Sequence, residues 1–384
     1  MEPLRPDLTV RQDLSVQAKQ TFQIVAMLAT VLVVGIHYKS DVPDFPSPSD
    51  TTWNELAQEF AFGGLGRVAV PLFAFAAGFF YFRSDDGTLA CYQKKLRQRA
   101  RTILLPFFIV GSVAMTCWLL VRQIEGNPVQ LSTSEFLVTW ILRPPAEQLW
   151  FLRDLIVLVT LAPVIRWICH HRIIKYVAIT LVAACWALNF QLFPMVSTWH
   201  LLHMETLLFF MLGCVAVQNM HWIERAGNVS NGMFVMAWMI WVDLVIARIF
   251  LRANFDIWYA TDYAMTVLLL HQLSILFGSV TLFMTAWRIR NEFLIRVAGA
   301  SFFVYLVHEF PLRAVIERFA DRFLDQNTAC WIVTPIVLIG CYATGMVLSK
   351  HFPAAISLLT GGRTPSSAAK KSTHSPNTGR AAAV

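Results

Sequence analysis

The feature that most constrains this chain is a recurrence of long apolar runs. Ten stretches of mostly uncharged residues can be marked, at about 21–39, 63–82, 102–122, 148–168, 173–190, 200–218, 232–252, 262–284, 294–314 and 330–350. The hydrocarbon core of a bilayer needs roughly 20 apolar residues per helix. In lipid every backbone polar group must be satisfied within the protein, which favours helices. The pattern therefore predicts an all-α membrane protein, a bundle of about ten transmembrane helices. Composition agrees, because only 14% of the 384 residues are charged, against about a quarter in a soluble domain. The fifth and sixth runs are the least regular, since Asn189, Gln191 and Pro194 crowd the turn between them.

The net charge of +7 is read through the positive-inside rule, not as a nucleic-acid footprint. With the N-terminus inside, 21 of the 31 Lys and Arg residues fall on the inner side. Loop 40–62 carries Asp41, Asp44, Asp50, Glu55 and Glu59 and no Lys or Arg. The expected topology is N-in and C-in. It divides the chain into a cytoplasmic N-terminal segment (1–20), a transmembrane domain (21–350) and a cytoplasmic, mostly disordered tail (351–384). Residues 361–384 are Ser, Thr, Ala and Gly with scattered positives, a composition that buries no core. The first run is long enough to be retained as an anchor instead of cleaved as a signal. Seven cysteines show no CxxC spacing and lie mostly in apolar runs. They read as small buried side chains, with neither a disulfide framework nor a zinc site.

The topology brings ionisable residues to one depth. His37 ends the first span and Arg67 begins the second. Arg153 and Asp154 lie one turn into the fourth. His200, His203 and Glu205 open the sixth, while His308, Glu309 and Arg313 close the ninth. Taken singly, each has a bland reading, such as an interfacial histidine or a structural Arg153–Asp154 ion pair; His200 and His203 have the one-turn spacing of metal ligands, but they sit at a water boundary and no metal is expected. Charges inside spans are costly and usually face a functional cavity. Five coincidences at the outer depth favour one shared polar cavity, with His271 deeper. On the opposite side Lys94, Lys95, Arg97, Arg99 and Arg101, with Arg83 upstream, flank the third span. The cluster is either an anchor on anionic lipid headgroups or a polyphosphate site, since Arg and Lys suit phosphate oxygens.

Together these motifs resemble the acyltransferase-3 family of integral membrane acyltransferases, over residues of about 15–350. Four features carry the likeness: His37 in the first span, "GRVAVPLFAFAAGFFYF" at 66–82, "LWFLRDLIVL" at 149–158 and "SFFVYLVHEFPL" at 301–312. Two positions depart from the family pattern. Ala26 stands where many members have a basic residue eleven positions before the histidine, and Ala77 replaces the usual serine before Gly78. Arg67 can stand in for the missing base if the first two spans pack closely.

The resemblance implies transfer of an acyl group, usually acetyl from cytoplasmic acetyl-CoA, to a hydroxyl of an extracytoplasmic glycan or lipid-linked acceptor. It further implies a multi-pass protein of the plasma membrane, the inner membrane in a bacterium. Acetyl-CoA is the co-substrate, with its phosphates on Lys94, Lys95, Arg97, Arg99 and Arg101. His37 is the proton-transferring or acyl-carrying group, since imidazole titrates near neutrality. Asp154 or Glu205 orients it, and Arg67 or Arg153 stabilises the oxyanion. His308 joins them as a structural or acceptor-side contact. The alternative is a transporter or flippase of a glycan precursor, for which internal repeats and broken midplane helices would be the sign. A third is a structural scaffold, which needs no charge within its spans. No nucleic-acid partner is expected.

Overall fold

The computed structural model describes residues 14–39, 52–196, 199–251 and 264–362. Among these residues the fold is helical apart from one antiparallel pair of two-residue strands, β1 (Met195–Val196) and β2 (Trp199–His200). Helix α1 (Val16–Tyr38) is capped by Ser15, whose hydroxyl accepts from the Ala18 amide at 3.2 Å. Next come α2 (Trp53–Gln58), a π-helical turn Glu59–Gly64, a 3₁₀ turn Leu65–Val68 and α3 (Ala69–Arg83). Then α4 (Leu89–Arg99) passes through the π-helical turn Ala100–Leu104 into α5 (Leu105–Ile124). The middle of the chain forms α6 (Thr133–Leu142), α7 (Leu149–Thr160), α8 (Ala162–His170) and α9 (Arg172–Ala187). Beyond the strand pair lie α10 (Met204–Gln218), α11 (His221–Gly227), α12 (Asn231–Leu251) and α13 (Met265–Arg288). The last helices are α14 (Glu292–Ala298), α15 (Ser301–Val307), α16 (Leu312–Ala320), α17 (Gln326–His351) and α18 (Pro353–Thr360).

Among the described residues six helical stretches are long and apolar enough to cross a bilayer: Val16–Tyr38, Trp53–Arg83, Leu89–Ile124, Asn231–Leu251, Met265–Arg288 and Asn327–His351. They coincide with the first, second, third, seventh, eighth and tenth expected spans. The number rises to nine if each of three bent pairs is one crossing. One bend lies at the start of the fifth expected run, one at the end of the sixth, and the third inside the ninth, which reads as a single span. Helices α8 and α9 meet at 118° around His171, and α10 meets α11 at 102°. The α14–α15 segment meets α16 at 81°, and His308 and Glu309 sit in that break. Among the described residues five helices lie wholly outside the expected runs: α2, α4, α6, α11 and α18. Ser132 and Glu135 form a capping box that starts α6, and Trp140 ties it to α5 by donating to Ser112 Oγ at 3.0 Å. The expected tail contains α18, which buries Ile356 and Thr360. Residues 363–384 lie outside the described residues.

Lipid as solvent explains the packing. Thr21, Thr30 and Thr281 each bond the carbonyl four residues back, at 2.8–2.9 Å, so their hydroxyls are satisfied within their own helix. Large apolar side chains on α9, α12 and α17, among them Val177, Leu181, Met239, Phe250, Ile336 and Ile339, are exposed on the outside of the bundle. A soluble domain would cover such surface; a bilayer solvates it. Among the described residues the interior holds two large apolar clusters on either side of α3. Phe22 of α1 packs with Phe79 and Phe283 in one, and Phe82 packs with Phe210 in the other. Helices α3 and α10 cross closely because Gly78 and Gly213 have no side chain. A Cβ on Gly78 would stand 2.2 Å from the Phe210 carbonyl oxygen, and one on Gly213 2.4 Å from that of Phe75. This crossing fixes the start of α10, with Glu205, against α3.

Candidate active site

The last turn of α1 meets the break after α15. The rings of His37 and His308 are edge to face, with centroids 5.1 Å apart. The neighbouring Tyr38 hydroxyl donates to the His308 carbonyl oxygen at 2.8 Å, which pins the two elements together. His308 is fully buried. Its Nδ1 faces the Val304 and Tyr305 carbonyl oxygens at 3.1 and 3.0 Å. Carbonyls only accept, so Nδ1 carries the hydrogen and Nε2 of the neutral ring presents a lone pair. That Nε2 has no hydrogen-bond partner among the described residues. His37 is half-buried.

Arg67 lies near this region. It lies on the 3₁₀ turn before α3, which packs directly on α1. Its Nε donates to the Gly63 carbonyl at 3.4 Å. Its positive charge acts on His37, on Glu205 and on His271. The close packing of the first two spans, needed for Arg67 to replace a base at Ala26, is present. Glu205 Oε2 accepts from Trp186 Nε1 at 3.1 Å, and the Trp186 carbonyl accepts from Gln272 Nε2 at 3.0 Å.

Arg153 and Asp154 form a second network. The Asp154 carboxylate is fully buried. Its Oδ2 accepts from the His203 amide at 3.0 Å and faces His203 Nδ1 at 2.9 Å. Its Oδ1 stands 3.5 Å from Arg153 Nη2. Arg153 also donates to the Leu142 carbonyl at 3.0 Å and to that of His200. Asp154, one of the two carboxylates expected to orient His37, instead faces His203, because α7 runs beside the start of α10, and its other oxygen faces Arg153. The His200 and His203 rings are 5.7 Å apart, and Trp150 packs on His203 at 4.6 Å.

Tyr305 links the two networks. Its ring lies 6.2 Å from His308 and 6.3 Å from Phe151, and its hydroxyl donates to the Gln148 carbonyl. Gln148 Nε2 donates to the Leu306 carbonyl at 3.1 Å, and Glu309 accepts from the Glu147 amide at 3.2 Å. These contacts latch the start of α7 to the break after α15. The residues read from the sequence thus form a histidine pair, His37 with His308, and a carboxylate–histidine network of Asp154, His203 and Arg153, while Glu205 pairs with Trp186. Gln148, Trp186, Gln272 and Tyr305 were missed, since uncharged polar and aromatic residues give no local signal of such a role.

The basic residues divide. Lys94, Arg97 and Arg101 are exposed and Arg99 is half-buried, its guanidinium 6.0 Å from the centre of the Tyr81 ring. Lys95 is buried, donates to the Tyr81 carbonyl at 2.6 Å and pairs with Asp85 at 3.4 Å. It anchors α4 to the end of α3. A cleft of about 320 Å³ lies beside it, lined by Tyr81, Asp85, Thr88, Tyr92, Arg166 and His171, among others. In the turn before α4, the Thr88 amide and hydroxyl hold the Asp86 carboxyl below its usual range.

Comparisons with known proteins give the family. A family model described as an acyltransferase domain, that of the acyltransferase-3 family, matches residues 26–349. The chain is similar to the succinoglycan biosynthesis protein ExoH of Rhizobium meliloti (strain 1021), with 26% identity over 319 residues, covering 78% of this chain and 80% of that protein. No solved structure matches. With a match that spans all but the two ends, and with His37, Arg67 and His308 gathered at one end of a helical bundle, this chain belongs to the acyltransferase-3 family.

Proposed function

We infer that this protein is a membrane acyltransferase that moves an acetyl group from cytoplasmic acetyl-CoA to a hydroxyl of an extracytoplasmic polysaccharide or its lipid-linked precursor. The observation that carries this reading is the histidine pair. His37 meets His308 beside the Arg67 charge, on spans that do not touch in sequence. The similarity to a succinoglycan biosynthesis protein supports a polysaccharide acceptor. In the reaction, His37 takes the hydroxyl proton as oxygen attacks the thioester carbonyl. Arg67 faces the oxyanion of the tetrahedral intermediate. Collapse breaks the carbon–sulfur bond, and His37 returns the proton to the departing thiolate. Glu205 lies in the same Arg67 field, and His203 with Asp154 and Arg153 borders the acceptor side. Membranes given radiolabelled acetyl-CoA should incorporate label into saccharide. Glycan movement without label would support a carrier instead. Pairwise replacement of Arg97 and Arg101 by Gln should raise the KM for acetyl-CoA, more steeply at low salt. Unchanged kinetics would make the cluster a lipid anchor only.

The chemistry requires the two ends of the bundle to face opposite compartments. The reading is N-in and C-in with about ten crossings of the plasma membrane, the inner membrane in a bacterium. Reporter fusions after residues 90 and 365 should read inside, and those after 50, 130 and 195 outside. Two reversed reporters would overturn the orientation and the access of a cytoplasmic donor with it.

A further inference from the structure

The histidine site leaves one deeply buried cation unused. Arg248 on α12 is 1% exposed. Its Nη2 donates to Glu59 Oε1 at 2.5 Å. Its Nε and Nη1 have no hydrogen-bond acceptor among the described residues. A guanidinium has five N–H donors, and leaving them unfilled in a low-dielectric interior is costly. A side chain in that state is incomplete without a further oxygen acceptor.

Its surroundings are built for charge. Glu59 opens the π-helical turn Glu59–Gly64, a geometry frequent at functional sites. A Cβ on Gly63 would lie 2.0 Å from Glu59 Oε2, so glycine is what leaves the carboxylate its place. The same Oε2 is 3.6 Å from Lys39 Nζ. Arg67 bonds the Gly63 carbonyl of that turn. His271 feels the charges of both Arg248 and Arg67, and Arg67 also acts on His37. Three cations, Lys39, Arg67 and Arg248, thus share the region with the carboxylates of Glu59 and Glu205. The region lies near the histidine pair through Arg67, whose charge acts on both His271 and His37.

We propose that Arg248 receives an oxyanion, a carboxylate or phosphate, borne by the acceptor saccharide, so that the enzyme selects an acidic sugar. This deepens the acyltransferase reading and rests on it for the word acceptor. The oxyanion supplies the acceptors that Nε and Nη1 lack, in charge-assisted hydrogen bonds. A neutral sugar leaves them unfilled, so discrimination of about 10–100-fold is expected from such bonds.

The test uses the full chain in lipid nanodiscs and follows its unfolding midpoint with glucose, glucuronate or glucose 1-phosphate at equal ionic strength. Glucuronate or glucose 1-phosphate should raise the midpoint and glucose should not. A response to glucuronate alone assigns a carboxylate, and a response to glucose 1-phosphate alone assigns a phosphate. The double variant Glu59→Gln, Arg248→Met leaves no orphaned carboxylate and should lose the response. Arg248→Lys keeps the pair with Glu59 but lacks the extra donors, and should weaken binding about tenfold even if the double variant fails to fold. No shift with either acid, or a wild-type response in Arg248→Lys and in any folded double variant, overturns the proposal. Transfer of labelled acetyl is read in the same preparation. An Arg248-dependent shift without transfer would leave the oxyanion site standing and sink the acyltransferase reading.

Discussion

Replacing His37 by alanine is expected to abolish acyl transfer while leaving the protein folded and inserted. General acid–base catalysis is typically worth about 10²–10⁴-fold, so kcat should fall by at least that much. The fold should survive, because His37 is only half-buried in the last turn of α1 and alanine is the best helix former. His308→Ala should cost less, about tenfold, the scale of one hydrogen bond to a charged group. It deletes a ring that faces His37 but leaves in place the His308 carbonyl to which Tyr38 bonds. Steady-state transfer of labelled acetyl by both purified variants decides the ranking. Near-normal turnover in His37→Ala, or a dead His308→Ala beside an active His37→Ala, would move the centre to the break after α15.

The second large effect is on stability. Asp154→Ala removes the carboxylate that holds the His203 amide and ring and faces Arg153. Removing one partner of a buried ion pair strands the other in low dielectric and costs about 3–5 kcal/mol. That is a large share of the roughly 5–15 kcal/mol that holds a typical fold. We expect loss of the monodisperse peak in fluorescence-detected gel filtration and a lowered unfolding midpoint. Asp154→Asn keeps an acceptor for the His203 amide and should recover part of it. If Asp154→Ala were as stable as the wild type yet inactive, the carboxylate–histidine network would belong to the chemistry and not to the scaffold.

The membrane character of the fold was legible because apolar length is a local property. Runs such as 102–122 and 232–252 need only be long and uncharged to demand a bilayer, and α5 and α12 occupy them. Local patterning was least informative where helices break. A run such as 294–314 reads as one span, yet the chain turns between α15 and α16, where His308 and Glu309 find partners on other elements. The capping box of α6 was written in Ser132 and Glu135, but a ten-residue helix is too short to register as a span.

The sequence by itself determined the class of solvent, the family and the set of ionisable residues at one end of the bundle. Those are consequences of composition, of run length and of motifs such as "GRVAVPLF", which each stretch of chain carries alone. Only the tertiary structure decided who partners whom. Asp154 serves His203, Lys95 pairs with Asp85, His37 meets His308, and Arg248 meets Glu59 across 189 positions of sequence. The physical reason is that burying a charge is favourable only with a partner of fitting geometry. That geometry is set by helix crossings such as Gly78 against Phe210 and by the π-helical turn at Glu59, neither of which exists until the helices pack.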